Sequence, residues 1–558
     1  MTSVNINKQK DELLFIPLGG AGEIGMNFNL YHHKGKWIIV DCGAGFAEEY
    51  MPGIDMIVPD ISFILKHKKN IEAIILTHSH EDHFGAVQYL WDLLECPIYA
   101  TKFTKSFLKR RLKDNGISES NRIIEVKQNS QISLGPFGID FVPLCHSAPE
   151  MQALVIRTEF GNIFHTGDWK FDEDPILGEV NDEKLLRQYG EEGVLALVGD
   201  STNIFREEFS GSEGKLRESL FKIINSCPGI VVVATFASNV ARLEVLLSIA
   251  KKLNKKVVLS GMSLVRVYAS ARECNYLTDY SDVIIDDKSI SSYKRDSIMV
   301  IATGCQGEPL ASVTKIANKI HKIISLSKGD TVIFSSKIIP GNEKKIFRVF
   351  NKLVFNKVEV ITEKDDFVHV SGHPSKKELS KLYKLLNPKI LIPVHGELMH
   401  MHAHAKFGKL LGIEKVIEVQ NGDIVRLSGD PSKLDSMGVR QIGVYGKRLL
   451  DNKSKVLKMR RRVQTDGVLV VNLVLSKKNM LLGSPLIFAP GYLDENEDKD
   501  LIQFLIQEVV HLLKSGIHNS RKKTAVENIE NHIKSVIKSI LKHEIGKVPE
   551  IKIITQIV

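Results

Sequence analysis

Residues 76 to 85 read LTHSHEDHFG, so three histidines, an aspartate and a glutamate fall within six positions directly after the apolar run Ile71 to Leu76. His78, His80, Asp82 and His83 supply the pattern H-x-H-x-D-H. At an extended strand end, side chains two apart share a face, which sets His78 beside His80. A following turn then returns Asp82 and His83 toward a second point nearby. Imidazole and carboxylate groups at this density suit zinc, or manganese where oxygen ligands are more numerous. A solvated polar loop does not account for such a cluster behind a buried strand. One metal with three protein ligands leaves Asp82 and His83 partly idle, which directs attention to other strand ends. His146 follows FVPLC, Asp168 ends IFHTGD and His395 ends ILIPVHG. Each alone reads more readily as a satisfied core histidine or a capping aspartate. Together with the first motif they read as its completion.

The elements that must position these residues follow from hydrophobic patterning. Over the first 210 residues, short β-rich runs such as LLFIPLG, KWIIVDCG, IEAIILTH and VLALVGD alternate with helical patterns such as GAVQYLWDLLE, and several runs end on histidine or aspartate. Residues 211–364 alternate strands and helices, with strand runs apolar throughout, which predicts a parallel sheet covered on both faces. Residues 365–450 return to strand-end histidines in DFVHVSGH and ILIPVHGE, so the first domain is completed from a distant segment and 211–364 is an insertion. A linker is expected at 451–465 and a small α+β domain at 466–558.

A chain of 558 residues has room for two to four domains, and 43% apolar with 25% charged residues is the balance of a folded globular protein. The charged N-terminus and the want of any run of about 18 apolar residues predict a cytoplasmic protein without membrane spans. Six scattered cysteines form no C-x-x-C pair and read as buried small apolar residues. The net charge of +9 is too dilute to name a partner. The basic runs KSFLKRRLKDN and KSKVLKMRRR are candidates for phosphate contact, although solvated helix faces are the commoner use of such runs. GAGEIG at 20 to 25 matches a dinucleotide fingerprint, yet the next residues, MNFNLYHHKGKWIIVD, read as a hairpin and not the helix a pyrophosphate requires.

The motifs THSHEDHFGA, CHSAPE, HTGDWKFD, GDSTN, HVSGH and IPVHGE, in this order, resemble those of the metallo-β-lactamase fold carrying a β-CASP insertion, specifically the bacterial ribonuclease J family. TGCQGEP, SSKIIPGNE and the C-terminal segment extend the resemblance over nearly the whole chain. It implies an αββα sandwich built from 1–210 and 365–450, an α/β β-CASP domain at 211–364 and a C-terminal α+β domain. It also implies two divalent metal ions, zinc with manganese or magnesium as alternatives. His78, His80 and His146 would bind one, Asp82, His83 and His395 the other, with Asp168 between them and Asp41 of VDCG supporting the ligands from behind. Asp82, Asp168, Asp200 and His373 form the implied catalytic set. Ser238 and the loop His369, Val370, Ser371, Gly372 and His373 would hold RNA phosphate and ribose. His373 either donates a proton to the leaving oxygen or only hydrogen-bonds phosphate.

The implied function is a ribonuclease using a metal-activated hydroxide on single-stranded RNA with a 5′-monophosphate. It would act 5′ to 3′ and also internally, in RNA decay and maturation including ribosomal RNA, as a homodimer or homotetramer. A related nuclease acting on DNA and a non-catalytic RNA-binding protein are the competing readings. Three positions depart from the family pattern: Ser79 where glycine is usual, Glu150 where aspartate is more usual, and Cys305 where serine is common. GYLDENED in the last domain is less aromatic and less basic than the family form. His400, His402 and His404 are read as outer support or surface histidines, because seven ligands already fill two metals.

Overall fold

The computed structural model describes residues 9–48, 50–117, 122–339, 341–478, 480–515 and 523–558. The chain forms two compact units. One runs up to Gly45 and resumes over Val58–Arg440; the other comprises Phe46–Ile57 and Gln441–Val558.

In the first unit two mixed sheets lie face to face. The eight-stranded sheet has the order Ser432–Ser436, Asp423–Arg426, Leu14–Gly19, Phe28–His33, Lys36–Val40, Ile71–Ile75, Ile98–Ala100, Ile123–Glu125. The seven-stranded sheet has the order Gln131–Leu134, Phe137–Pro143, Gln152–Thr158, Gly161–His165, Val194–Asp200, Ile390–Val394, Lys415–Val416. Phe15, Tyr31, Val40 and Ile75 from the first meet Phe141, Leu154, Val198 and Ile392 from the second in one core. Helices Glu183–Glu192 and Lys376–Leu386 cover the outer face of the seven-stranded sheet with Leu186, Leu382 and Leu386 against Phe164 and Leu197. This is an αββα sandwich. Its closure depends on late sequence: Ile390–Val394 pairs in parallel with Val194–Asp200, and Asp423–Arg426 pairs with Leu14–Gly19.

Between those segments lies a parallel five-stranded sheet in the order Lys256–Ser260, Ile298–Ala302, Val231–Ala234, Thr331–Phe334, Glu359–Ile361. Runs such as VVVA and IMVIA are buried at every position, as strands covered on both faces must be. Helices Val240–Lys252 and Met262–Glu273 follow Val231–Ala234 and Lys256–Ser260, the β-α-β rhythm expected from the sequence.

GAGEIG leads into the antiparallel hairpin Phe28–His33 with Lys36–Val40, so no helix is available to carry a pyrophosphate and the dinucleotide motif is a coincidence. The cysteines are buried except Cys227, which is half-buried, and all are unpaired. No helix among the described residues is long and apolar enough to cross a membrane.

In the second unit the stretch expected as a linker holds the helix Lys455–Asp466, initiated by Ser454, whose hydroxyl accepts from Leu457 N. Strand Val468–Leu475 alternates half-buried and buried residues, and it pairs in parallel with Glu550–Ile557 along its whole length. Helices Lys499–Lys514 and Lys523–Glu544 cover the buried face through Leu505, Val509, Ile533 and Ile537. The arginines of both basic runs are engaged by protein groups. Arg110 and Arg111 pair with Glu273 and Glu81; Arg460 and Arg461 lie over Tyr445 and Tyr50, and Arg462 meets Glu550.

Candidate metal centre

Five strands of the sandwich end at one place, and each delivers a polar residue there. Asp41 follows Lys36–Val40, the motif 77–83 follows Ile71–Ile75, Asp168 follows Gly161–His165, Asp200 ends Val194–Asp200, and His395 follows Ile390–Val394. The carboxyl ends of parallel strands are the usual place for such sites in α/β sheets. His78 and His80 lie beyond the strand proper, in the loop before the short helix Glu81–Phe84, which carries Asp82 and His83.

Asp41 orients two of the imidazoles. It is fully buried at φ +65°, a strained conformation of the kind found at functional sites. One oxygen, Oδ2, lies 2.7 Å from His83 Nδ1. The Thr77 hydroxyl donates to the same oxygen at 2.9 Å, which leaves the Thr77 oxygen to accept from His78 Nδ1 at 3.0 Å. His146 Nδ1 lies 2.8 Å from the Gly372 carbonyl. With Nδ1 occupied on each of these three rings, Nε2 is the atom left facing the site.

The Asp168 carboxylate sits among these atoms. Its Oδ1 lies 3.1 Å from His83 Nε2 and 3.4 Å from His395 Nε2. Its Oδ2 lies 3.6 Å from His78 Nε2 and 3.7 Å from His146 Nε2. Among the described residues three sets of ligand-type atoms result, each within 4.8 Å: His78, His80, His146 and Asp168; Asp82, His83, Asp168 and His395; and Asp200, His373 and His395, of which the first two share Asp168. His78 Nε2 and His395 Nε2 are buried with no hydrogen-bond partner among the described residues. Leaving such atoms unpaired costs about 1–3 kcal/mol each, a cost that a cation among them removes. The donor set therefore fits a divalent metal.

Burial pushes His78 and His146 well below the ordinary histidine value and His80 down to about 4, with neighbouring imidazoles lowering His78 and His146 further. Neutral imidazole is the metal-binding form. Burial also disfavours the charged forms of His83 and Asp168, but their mutual attraction outweighs it. Asp168, Asp41 and Asp82 hold His83 well above its usual value, while His83, His395 and His373 hold Asp168 well below its own.

His373 Nδ1 lies 2.8 Å from Asp200 Oδ2. Burial opposes its charge, yet Asp200 and Asp168 raise it to about 9. Its carbonyl accepts from Ser210 Oγ at 2.6 Å, and its N–H donates to Ser371 Oγ at 3.2 Å. Nearby, His369 Nδ1 is buried without a partner among the described residues, and burial, then Arg242 and Lys337, push His369 well down. Val370 is buried with its side chain toward Gly211. Ser238 is half-buried in the turn before helix Val240–Lys252, whose Ala241 N–H reaches the Ser147 carbonyl at 3.4 Å, one residue from His146.

Two contributors were not anticipated from the sequence. The Asn27 side-chain amide lies 2.9 Å from His395 Nδ1 and 3.1 Å from His83 Nε2, and it reaches the Asp82 carbonyl at 3.2 Å. A lone asparagine in a glycine-rich loop has no spacing to mark it. Gly372, expected in the substrate loop, has a second part that the sequence did not suggest: its carbonyl holds His146, and a Cβ there would come within 2.8 Å of His146 Cε1, so glycine leaves room for the approach.

Ser79 is buried and its hydroxyl has no partner among the described residues. Cys305 is buried. His404 is buried between Ser201 Oγ, at 2.9 Å, and the Tyr383 hydroxyl. His402 pairs with Glu418 at 2.8 Å, and His400 lies against the Phe205 ring. None of these three histidines enters any ligand set.

Four family models match consecutive parts of the chain. They are the metallo-beta-lactamase superfamily at 23–234, the ribonuclease J beta-CASP domain at 228–353, the Zn-dependent metallo-hydrolase RNA specificity domain at 357–417 and the ribonuclease J C-terminal domain at 455–557. Ribonuclease J of Sinorhizobium meliloti is 38% identical over 98% of this chain and 97% of that protein. The chain belongs to the ribonuclease J family. Ribonuclease J 1 of Streptococcus pyogenes is 32% identical over 98% of each chain, and ribonuclease J2 of Bacillus subtilis 32% identical over 93% and 94%. A solved structure of a protein of unknown function from Enterococcus faecalis V583 has a TM-score of 0.53 at 18% identity, covering 74% of this chain and 100% of that one. That likeness speaks for the fold alone. As a member of the ribonuclease J family the chain is a hydrolytic RNA nuclease, and the αββα sandwich with a β-CASP insertion and a C-terminal α+β domain is its fold.

Proposed function

We propose that the centre holds two divalent cations, zinc in preference to manganese or magnesium, and that the chain degrades single-stranded RNA from a 5′-monophosphate end and also cuts internally. In this reading it works in the cytoplasm as a homodimer or homotetramer. The observation that carries the two-cation reading is Asp168, whose two oxygens face separate histidine sets at 3.1–3.4 Å and 3.6–3.7 Å. His78, His80 and His146 take one cation, Asp82, His83 and His395 the other, and Asp168 both; so imidazole-rich a donor set favours zinc. Bound there, the cations supply Lewis acidity and make water acidic enough to serve as nucleophile near pH 7.

The chain's own groups do the rest. Asp41, Thr77 and Gly372 hold the imidazoles in orientation. His373, held through Nδ1 by Asp200 at 2.8 Å, donates its proton to the leaving 3′-oxygen. Ser238, His369, Ser371 and the main chain of Val370 and Gly372 bind phosphate and ribose, with the 2′-hydroxyl separating RNA from DNA. The test is RNA with a 5′-monophosphate, labelled at either end, incubated with zinc, manganese or magnesium in turn beside a DNA of matched sequence. Release of 5′-mononucleotides from RNA is expected. Equal cleavage of DNA would move the substrate class, and tight RNA binding without turnover would make the chain a binding protein.

A further inference from the structure

Both ligand-bearing segments touch one helix, Lys102–Asp114. At its start the Phe103 N–H donates to Glu150 Oε2 at 2.8 Å, and Glu150 lies four residues beyond His146. In its last turn Arg111 makes two parallel bonds to Glu81, 2.5 Å from Nη1 to Oε2 and 2.6 Å from Nη2 to Oε1. Glu81 stands between His80 and Asp82. Between these points the Phe107 ring packs against Phe84 with centroids 5.3 Å apart, which clamps the short helix that carries Asp82 and His83. A Cβ on Gly85 would fall 2.4 Å from Glu81 Oε1, so glycine there leaves the space that carboxylate occupies.

The same helix is tied on another side to the domain with the five-stranded parallel sheet. Ser106 Oγ and Arg110 Nη2 both donate to Glu273 Oε2 at 2.8 Å, and Arg266 Nε meets Asp114 Oδ2 at 2.7 Å. The Tyr276 hydroxyl donates to Glu150 Oε1 at 3.2 Å, so Glu150 joins the His146 segment, the helix and the inserted domain at once. An aspartate, one methylene shorter, has less reach for this double contact. Isolated exposed ion pairs are weak, but a bidentate, part-buried arginine–carboxylate pair is of the stronger kind.

We propose that helix Lys102–Asp114 is a brace through which the inserted domain holds both ligand segments in register, with Arg111 positioning Asp82 and His83, and Glu150 positioning His146. The proposal rests on the two-cation reading of the centre. Groups that orient metal ligands from outside typically change metal affinity about 10- to 100-fold when removed. The test uses the full chain and its variants Arg111→Met, which keeps the aliphatic packing, Arg111→Lys, and the double variant Glu273→Gln with Tyr276→Phe. Zinc affinity is read by competition with a chromophoric chelator, at a temperature where circular dichroism shows each variant folded. Expected are zinc binding about 10-fold or more weaker in Arg111→Met, part of it recovered in Arg111→Lys, and a loss of a few-fold in the double variant, whose positions touch no ligand. Wild-type zinc affinity in Arg111→Met, or in the double variant, would overturn the brace. A wild-type chain that bound no divalent cation would overturn the two-cation reading, and the brace with it.

Discussion

At the scale of single residues, the centre depends on atoms that have no other partner. Asp168 is the residue that both four-residue ligand sets share, and Asp168→Asn keeps its shape while removing the charge. Asp168→Asn is expected to lower RNA cleavage at least about a thousandfold, roughly 4 kcal/mol at the transition state, with the far-ultraviolet circular dichroism unchanged. Cleavage within tenfold of the wild type would remove Asp168 from the site. Ser79 tests the converse. Its buried hydroxyl has no partner among the described residues, so Ser79→Ala is expected to leave stability unchanged or to raise it by about 1 kcal/mol in denaturant unfolding. A loss of more than about 1 kcal/mol would mean that the hydroxyl is bonded.

At the scale of elements, loops and helices hold ligands at the angles the strands alone do not set. Gly372→Ala places a methyl against the His146 ring and is expected to lower zinc affinity about 10- to 100-fold with little change in melting temperature. Unaltered zinc binding would show that the loop can retreat without cost. Helix Leu398–Leu410 offers a test by pH. Burial lowers His404 from 6.5 to about 4, so between those values the unfolded chain binds a proton that the folded chain does not. The stability this histidine contributes is complete above pH 6.5 and drains away as pH falls toward 4, at up to about 1.4 kcal/mol per pH unit. Plotted against pH across that window, unfolding free energy should slope less steeply in His404→Gln by about one proton. Parallel slopes would contradict the burial of a neutral imidazole.

Much of this was legible in the chain itself, because the signals were local. His78, His80, Asp82 and His83 announce themselves by spacing, and His146, Asp168 and His395 by ending apolar strands. The parallel sheet at 211–364 follows from runs such as VVVA that are apolar on both faces. What stayed hidden was held by distant contacts. Asn27 reaches His395 across 368 positions, and Gly372 reaches His146 across 226, with no pattern at either end. The stretch 451–465 reads as a basic linker but is helical from Lys455 onward, since Ser454 caps that helix and its arginines are held by Tyr445, Tyr50 and Glu550. Composition alone could not separate those states.

For the whole molecule, chain order sets when the parts can meet. The seven-stranded sheet joins Val194–Asp200 to Ile390–Val394, and the complete parallel sheet of the inserted domain lies between them in sequence. Translation at about 5–20 residues per second separates the two strands by some 10 to 40 seconds, ample time for the strands and helices between them to pair. Chains cut at residue 389 and held on the ribosome by a flexible tail long enough to clear the exit tunnel should therefore protect the inserted domain from protease while cleaving no RNA, and cleavage by such chains would refute the order. His395 comes off the ribosome after every other ligand-type residue of the centre. If His395 is needed for cleavage, a newly made chain gains its activity only after the second segment of the sandwich has left the ribosome.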